Sequence, residues 1–165
     1  MNIETDEIRL GVYRGLFNPD SLISGFEDSA SNFTRGFHSV AQTLMGKTMN
    51  SIRHEVERTN NLQALFLYHS YSGGTGAGVT CRILQALELE YPKTPKLQLT
   101  VFPGNTMCAS VVEPYNTVLC CSVSDPQSDV TILVDNEALV KMCTNLLKID
   151  RPVYTNLNRI MSQVC

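Results

Sequence analysis

The stretch Ser72-Gly73-Gly74-Thr75-Gly76-Ala77-Gly78 follows a short apolar run at residues 62–68 and precedes apolar residues at helical spacing. Glycine tolerates positive φ and lets a ligand approach main-chain N–H groups that a Cβ would shield. A glycine loop between a strand and a helix N-terminus favours an anion, because the first helical turn has unpaired N–H groups and a positive dipole end. The sequence therefore predicts a site for nucleotide phosphate.

Two familiar phosphate motifs do not fit. The dinucleotide fingerprint G-x-G-x-x-G would need glycine at position 79, which is Val79. The run Gly46-Lys47-Thr48 resembles the end of a P-loop, but the first glycine of that motif would fall at Ala41 and no strand precedes it. We interpret this run as a polar step within an amphipathic helix.

The spacing of apolar residues alternates along the chain between strand-like and helix-like segments, as expected for strands joined by helices and hence for a parallel sheet. Strands are predicted at residues 62–69, 97–102 and 130–134. Helices are predicted at residues 37–58, 80–89, 113–121, 136–146 and from 154 onward, with Pro114 tolerated in a first turn. No repeat or low-complexity linker interrupts this order, so the chain carries one domain or part of one.

Polar residues follow each of the three predicted strands, directly or after one loop. Ser70 and the glycine loop follow the first strand, Glu113 comes after the second, and Asn136 follows the third. Ligands of open α/β sheets bind beyond the carboxyl ends of the strands. The backbone N–H groups of the glycine loop suit phosphate, and Glu113 suits the ribose hydroxyls.

Further side chains suit the base, although each candidate has an alternative role. Asn136 and Asn158 present amides that match a purine edge, and Tyr154 offers a stacking face. Asn136 could instead be a helix N-cap, and Glu113 could simply favour a helix N-terminus by its charge. Asp28 could be a turn residue. His69 is more often a satisfied core histidine than a catalytic group.

Composition limits the class of partner and the compartment. The net charge of −3 and the pI near 5.6 argue against nucleic acid, which requires clustered Lys and Arg. The N-terminus lacks the pattern of a signal peptide, and no apolar run of about 18 residues occurs, so a cytoplasmic protein without membrane contact is expected. The six cysteines form no C-x-x-C pair and are expected to be reduced core thiols.

The glycine heptapeptide resembles the signature of the tubulin family, and the resemblance extends over essentially the whole chain. The sequence around Glu27-Asp28 and over residues 151–159 is similar to alpha-tubulin. The other matching segments are Asp6-Glu7-Ile8-Arg9, Tyr13-Arg14, Leu16-Phe17, Val111-Val112-Glu113-Pro114-Tyr115-Asn116 and Val134-Asp135-Asn136-Glu137-Ala138.

This resemblance implies a Rossmann-like α/β GTPase domain with a parallel sheet, incomplete at its N-terminus. Residues 1–153 are then expected to be part of the nucleotide-binding domain and residues 154–165 the start of the long central helix. Met1 stands where the family has an acidic residue associated with magnesium. Ser31 and the pair Cys108-Ala109 also depart from the family pattern, so weaker nucleotide affinity is expected.

The resemblance further implies a GTP-binding structural subunit of microtubules that pairs with a beta-tubulin-like subunit in the cytoplasmic cytoskeleton, with Mg²⁺ as a second cofactor. The family is a GTPase, but its hydrolysis-promoting acidic residue would lie beyond Cys165, so no catalytic residue is assigned and the chain alone is not expected to turn over GTP. The alternative is a non-polymerising interaction protein that binds tubulin-folding chaperones, or a non-functional fragment. The implied nucleotide-binding residues are Asp28, Ser70, Gly73, Gly74, Thr75, Gly76, Ala109, Glu113, Asn136, Tyr154 and Asn158.

Overall fold

The computed structural model describes residues 8–104 and 110–163. In this part of the chain, three strands form one parallel sheet in the order β1-β2-β3: β1 (Leu65–Ser70), β2 (Lys96–Phe102) and β3 (Val130–Asp135). The register aligns Ser70 with Val101 and Val101 with Val134, so the carboxyl ends of all three strands lie at the same edge. This arrangement confirms the predicted α/β class with a parallel sheet.

Helices alternate with the strands in the order that the apolar periodicity predicts. They are α1 (Ala41–Arg58), α2 (Thr80–Glu90), α3 (Glu113–Ser124), α4 (Asn136–Asn145) and α5 (Tyr154–Met161). Pro114 lies in the first turn of α3, where a missing N–H costs little.

Two helices begin earlier than predicted, each through a wide turn. A short helical turn (Phe33–Arg35) and a π turn (Gly36–Val40) precede α1, and the side chain of Asn32 accepts hydrogen bonds from the N–H groups of Thr34 and Arg35. A second π turn (Thr75–Val79) precedes α2. The start at Phe33 was missed because an Asn cap five residues upstream of the predicted helix start is a weak signal.

The two faces of the sheet have different chemistry. One face carries an apolar cluster in which Leu99 and Val134 pack against Leu139 of α4 and Leu157 of α5. The opposite face is polar yet buried, with His69, Lys96, Gln98 and Thr100. Such buried polar groups require partners, and these side chains do form hydrogen bonds.

His69 connects strand β1 to the glycine loop. Its Nδ1 lies 2.9 Å from the Gly76 carbonyl oxygen, and its Nε2 lies 2.7 Å from Oε1 of Gln98. Gln98 in turn donates to the Ser124 carbonyl at the end of α3. This geometry agrees with the interpretation of His69 as a satisfied core histidine, and it holds the loop after β1 against the sheet.

Candidate nucleotide-binding site

The glycine loop leaves the carboxyl end of β1 and leads into the π turn before α2. Ser70, the last residue of β1, shapes the first bend: its Oγ accepts a hydrogen bond from the Ser72 N–H at 3.1 Å and lies 2.8 Å from the Ser72 Oγ. Ala77 is bonded through its N–H to the Gly73 carbonyl at 3.3 Å. The N–H groups of Gly74, Thr75 and Gly76 therefore belong to the first turn, where helices bind anions.

The glycines of this loop allow other backbone segments to approach closely, and their backbone dihedral angles are ordinary. Among the described residues no glycine has positive φ, whereas Ala30, Ser31 and Lys148 do. The positive φ that glycine permits is therefore not used in this loop. A Cβ on Gly74 would lie 2.5 Å from the Asn32 nitrogen, which shows that the loop instead needs glycine for backbone contact.

Gly73 and Gly74 face different surroundings. Nothing lies within 4 Å of a Cβ built on Gly73, so this position is open to a ligand. The Cβ direction of Gly74 is closed by the 29–32 segment, including the Ser29 Oγ at 2.6 Å. A larger side chain would therefore test ligand binding at Gly73, and folding at Gly74.

Asp28 directly precedes the 29–32 segment, which contacts the glycine loop. Ser29 is buried, and its Oγ lies 2.8 Å from Oγ1 of the exposed Thr75. Asp28 precedes Ser29 and is itself exposed. Asp28 is thus adjacent in sequence to the segment that packs against the glycine loop.

Asn116 holds this arrangement together and was not assigned a role from the sequence. Its Nδ2 donates to the carbonyl oxygens of Ser31 (2.7 Å) and Ser72 (2.9 Å), and its Oδ1 accepts from the Phe33 N–H (3.1 Å). The side chain is 4% exposed. A signal was present in the sequence, since Asn116 lies one turn after Glu113 on the same helix.

Glu113 is the first residue of α3 and is 8% exposed. Its Oε1 accepts a hydrogen bond from the Ser110 N–H at 3.1 Å. The carboxylate therefore stabilises the backbone just before α3. Ala109 lies outside the described residues.

Asn136 is the first residue of α4, directly after β3, but it is not the N-cap. That role belongs to Asp135, whose Oδ1 accepts from the Glu137 N–H at 2.8 Å. The alternative role for Asn136 is therefore wrong, because the cap lies one residue earlier.

Tyr154 and Asn158 lie one turn apart at the start of α5, and both are exposed. Helix α5 packs on α4 through Leu157 and Leu139, so the two candidate base-binding helices share one apolar cluster. The phosphate-side candidates of the glycine loop thus lie at the π turn that precedes α2, and the base-side candidates lie on α4 and α5. One surface cavity, of about 570 Å³, lies elsewhere, between residues 18–24 and α1.

Comparisons with known proteins identify the family of the chain. The family model described as Tubulin/FtsZ family, GTPase domain, matches residues 1–144. The chain belongs to the tubulin family. This tubulin-family chain is 42% identical over 159 residues to the Tubulin alpha-2 chain of Caenorhabditis elegans, which makes it alpha-like. The match covers 96% of this chain and 36% of that relative.

Proposed function

We propose that this tubulin-family chain binds a guanine nucleotide at the carboxyl edge of its sheet, as an alpha-tubulin-like cytoskeletal subunit. The observation that carries the proposal is the glycine loop, whose open Gly73 and first-turn N–H groups lie at the π turn that precedes α2. Hydrogen bonds from such groups to a charged phosphate contribute about 1.5–3 kcal/mol each.

The remaining candidates divide between the parts of the nucleotide. Glu113 begins α3 and is assigned to the ribose, while Asn136, Tyr154 and Asn158 on α4 and α5 are assigned to the base. The two amides provide both donors and acceptors, which guanine requires. The parallel register supports this division because Ser70, Phe102 and Asp135 end their strands at one edge.

Mg²⁺ would fit at the phosphate end, with Asp28 as its carboxylate. No group of three or more His, Cys, Asp or Glu side chains with metal-binding geometry occurs among residues 8–104 and 110–163. Mg²⁺ is commonly held by one or two carboxylates together with substrate phosphates and water. A bound ion would neutralise phosphate charge, and Ser29 would hold Asp28 near Thr75 through its 2.8 Å contact.

We also propose the wider role that membership in the family suggests. Residues 1–153 would be part of a nucleotide domain and residues 154–165 the start of a central helix, and the partner would be a beta-tubulin-like subunit in the cytoplasmic microtubule lattice. No helix in the described ranges is long and apolar enough to cross a membrane.

A matched pair of substitutions tests the nucleotide site. Gly73→Val fills space that a phosphate would occupy, and Gly15→Val is the control because nothing lies within 4 Å of either Cβ. We expect Gly73→Val to weaken GTP binding at least tenfold, about 1.4 kcal/mol, in calorimetric titration of the full chain. The control should bind as the parent does. Equal GTP affinity in all three proteins would contradict the phosphate assignment.

Co-sedimentation tests the wider role separately. The full chain is mixed with assembling microtubules and pelleted, and we expect it in the pellet in proportion to polymer. Capture by folding chaperones without sedimentation would favour the non-polymerising alternative and would leave the nucleotide result unaffected.

A further inference from the structure

Two cysteines on neighbouring helices lie side by side in the core. Cys81 near the start of α2 and Cys120 on α3 have their Sγ atoms 3.4 Å apart, and both residues are 0% exposed. They share an apolar cluster with Phe33, Tyr71 and Ala77.

The surrounding contacts fix the orientation of both side chains. The Sγ of Cys81 lies 3.7 Å from the Cys120 carbonyl oxygen, and the Sγ of Cys120 lies 3.8 Å from the Ala77 carbonyl oxygen. A disulfide has an S–S distance of about 2.05 Å, so the sulfurs need to approach by only about 1.4 Å. No third His, Cys, Asp or Glu completes a metal-binding group with them among the described residues.

We propose that Cys81 and Cys120 are a modification site that forms an internal disulfide in the presence of a small hydroperoxide oxidant. One sulfur attacks a peroxide oxygen, the O–O bond breaks, and a sulfenic acid forms as the first water leaves. The second sulfur then attacks the sulfenic sulfur, the S–O bond breaks, and the second water leaves. The two thiols lose two electrons in total, hydrogen peroxide gains them, and both thiol protons end in water.

The environment makes this reaction slow in the folded protein. The hydrogen bond with Cys81 and burial raise the pKa of the Cys120 thiol far above its usual range. Since the thiolate is the reactive form, oxidation should proceed through transient opening of the contact between α2 and α3. Cys121, the next residue of α3, is a partly exposed free cysteine and offers a comparison.

The crosslink would have a defined structural effect. It closes a loop of residues 81–120, 40 in all, and removes conformational freedom from the unfolded chain. It also ties the helix after the glycine loop to the helix that begins at Glu113. We expect it to raise the midpoint of thermal unfolding by roughly 8–15 °C.

The proposal does not depend on nucleotide binding, and mass spectrometry tests it directly. The full chain is reduced, treated with hydrogen peroxide in the absence and presence of mild urea, alkylated and digested. We expect a peptide pair joined through Cys81 and Cys120, formed at least several times faster in urea. The linked pair should be absent in Cys81→Ser and Cys120→Ser.

Cys121→Ser is the matched control, because it removes the neighbouring thiol of the same helix. It should retain the linked pair and the thermal shift, and both should be reversed by dithiothreitol. Preferential crosslinking through Cys121 would overturn the proposal. So would alkylation of free Cys81 and Cys120 after peroxide treatment with and without urea, or a crosslink that leaves the unfolding midpoint unchanged.

Discussion

Replacement of Asn116 by Ala should loosen the segment that covers the glycine loop. Asn116 forms three hydrogen bonds, to the Ser31 and Ser72 carbonyl oxygens and from the Phe33 N–H, and it is buried. A hydrogen bond typically makes a net contribution of about 0.5–1.5 kcal/mol to stability, and each buried polar group left without a partner costs about 1–3 kcal/mol. We expect a loss of about 3 kcal/mol in the free energy of unfolding.

The strained backbone next to Asn116 adds to this expectation. Ala30 and Ser31 have φ of 50° and 52°, a conformation that costs an L-residue about 1–2 kcal/mol. Once Asn116 no longer binds the Ser31 carbonyl, the segment can relax to ordinary dihedral angles. The substitution should therefore loosen this segment locally in addition to lowering the free energy of unfolding of the whole chain.

Urea unfolding followed by circular dichroism measures the first effect, and amide hydrogen exchange measures the second. The midpoint should fall by about 1–2 M, and the Phe33 amide should exchange faster. Asn61→Ala, at an exposed position, is the control and should shift the midpoint little. An Asn116→Ala protein with the parent's midpoint and unchanged exchange at Phe33 would refute the reasoning.

Three further expectations concern single residues. Ala30→Gly should raise the free energy of unfolding by up to about 1 kcal/mol in urea titration because it relieves a φ of 50°, whereas Ala64→Gly, at an exposed site, should not stabilise. Lys96→Met should lower the free energy of unfolding by about 2 kcal/mol, because the buried ammonium lies 2.6 Å from a Glu88 carboxylate oxygen and also donates to two carbonyl oxygens. Lys93→Met, at an exposed position, is the control, and equal losses in the two variants would contradict this role for Lys96. Burial raises the pKa of Tyr71, so the unfolded chain releases the phenolic proton first as pH rises above about 10. The contribution of Tyr71 to the free energy of unfolding should therefore be full below that pH and fall above it. A free energy of unfolding that is as independent of pH above 10 as below it would contradict the raised pKa.

Much of the fold could be predicted because apolar periodicity reports which faces are buried. Strand β2 was expected at residues 97–102 and lies at Lys96–Phe102, and α4 was expected at 136–146 and lies at Asn136–Asn145. These elements are specified by local pattern. The parallel sheet followed from their alternation.

Other features depend on contacts between distant parts of the chain, which local pattern does not encode. Asn116 bonds residues 85 and 44 positions away, and Lys96 is buried in a sheet face that would normally be apolar. The glycine loop was predicted at the correct place, but the reason for Gly74 is the backbone of the 29–32 segment, whose approach only the structure reveals. The assignments of all the candidate residues to the nucleotide, from Asp28 to Asn158, stay predictions.

Equilibrium binding of GTP and ATP to the full chain tests the central claim most directly. Titration of each nucleotide in the presence of Mg²⁺, with folding verified by circular dichroism in the same sample, gives the two dissociation constants. If Asn136 and Asn158 recognise the base, GTP should bind at least tenfold more tightly than ATP, about 1.4 kcal/mol. Equal affinity for the two nucleotides, or no binding by a folded sample, would contradict a guanine nucleotide site at this edge of the sheet.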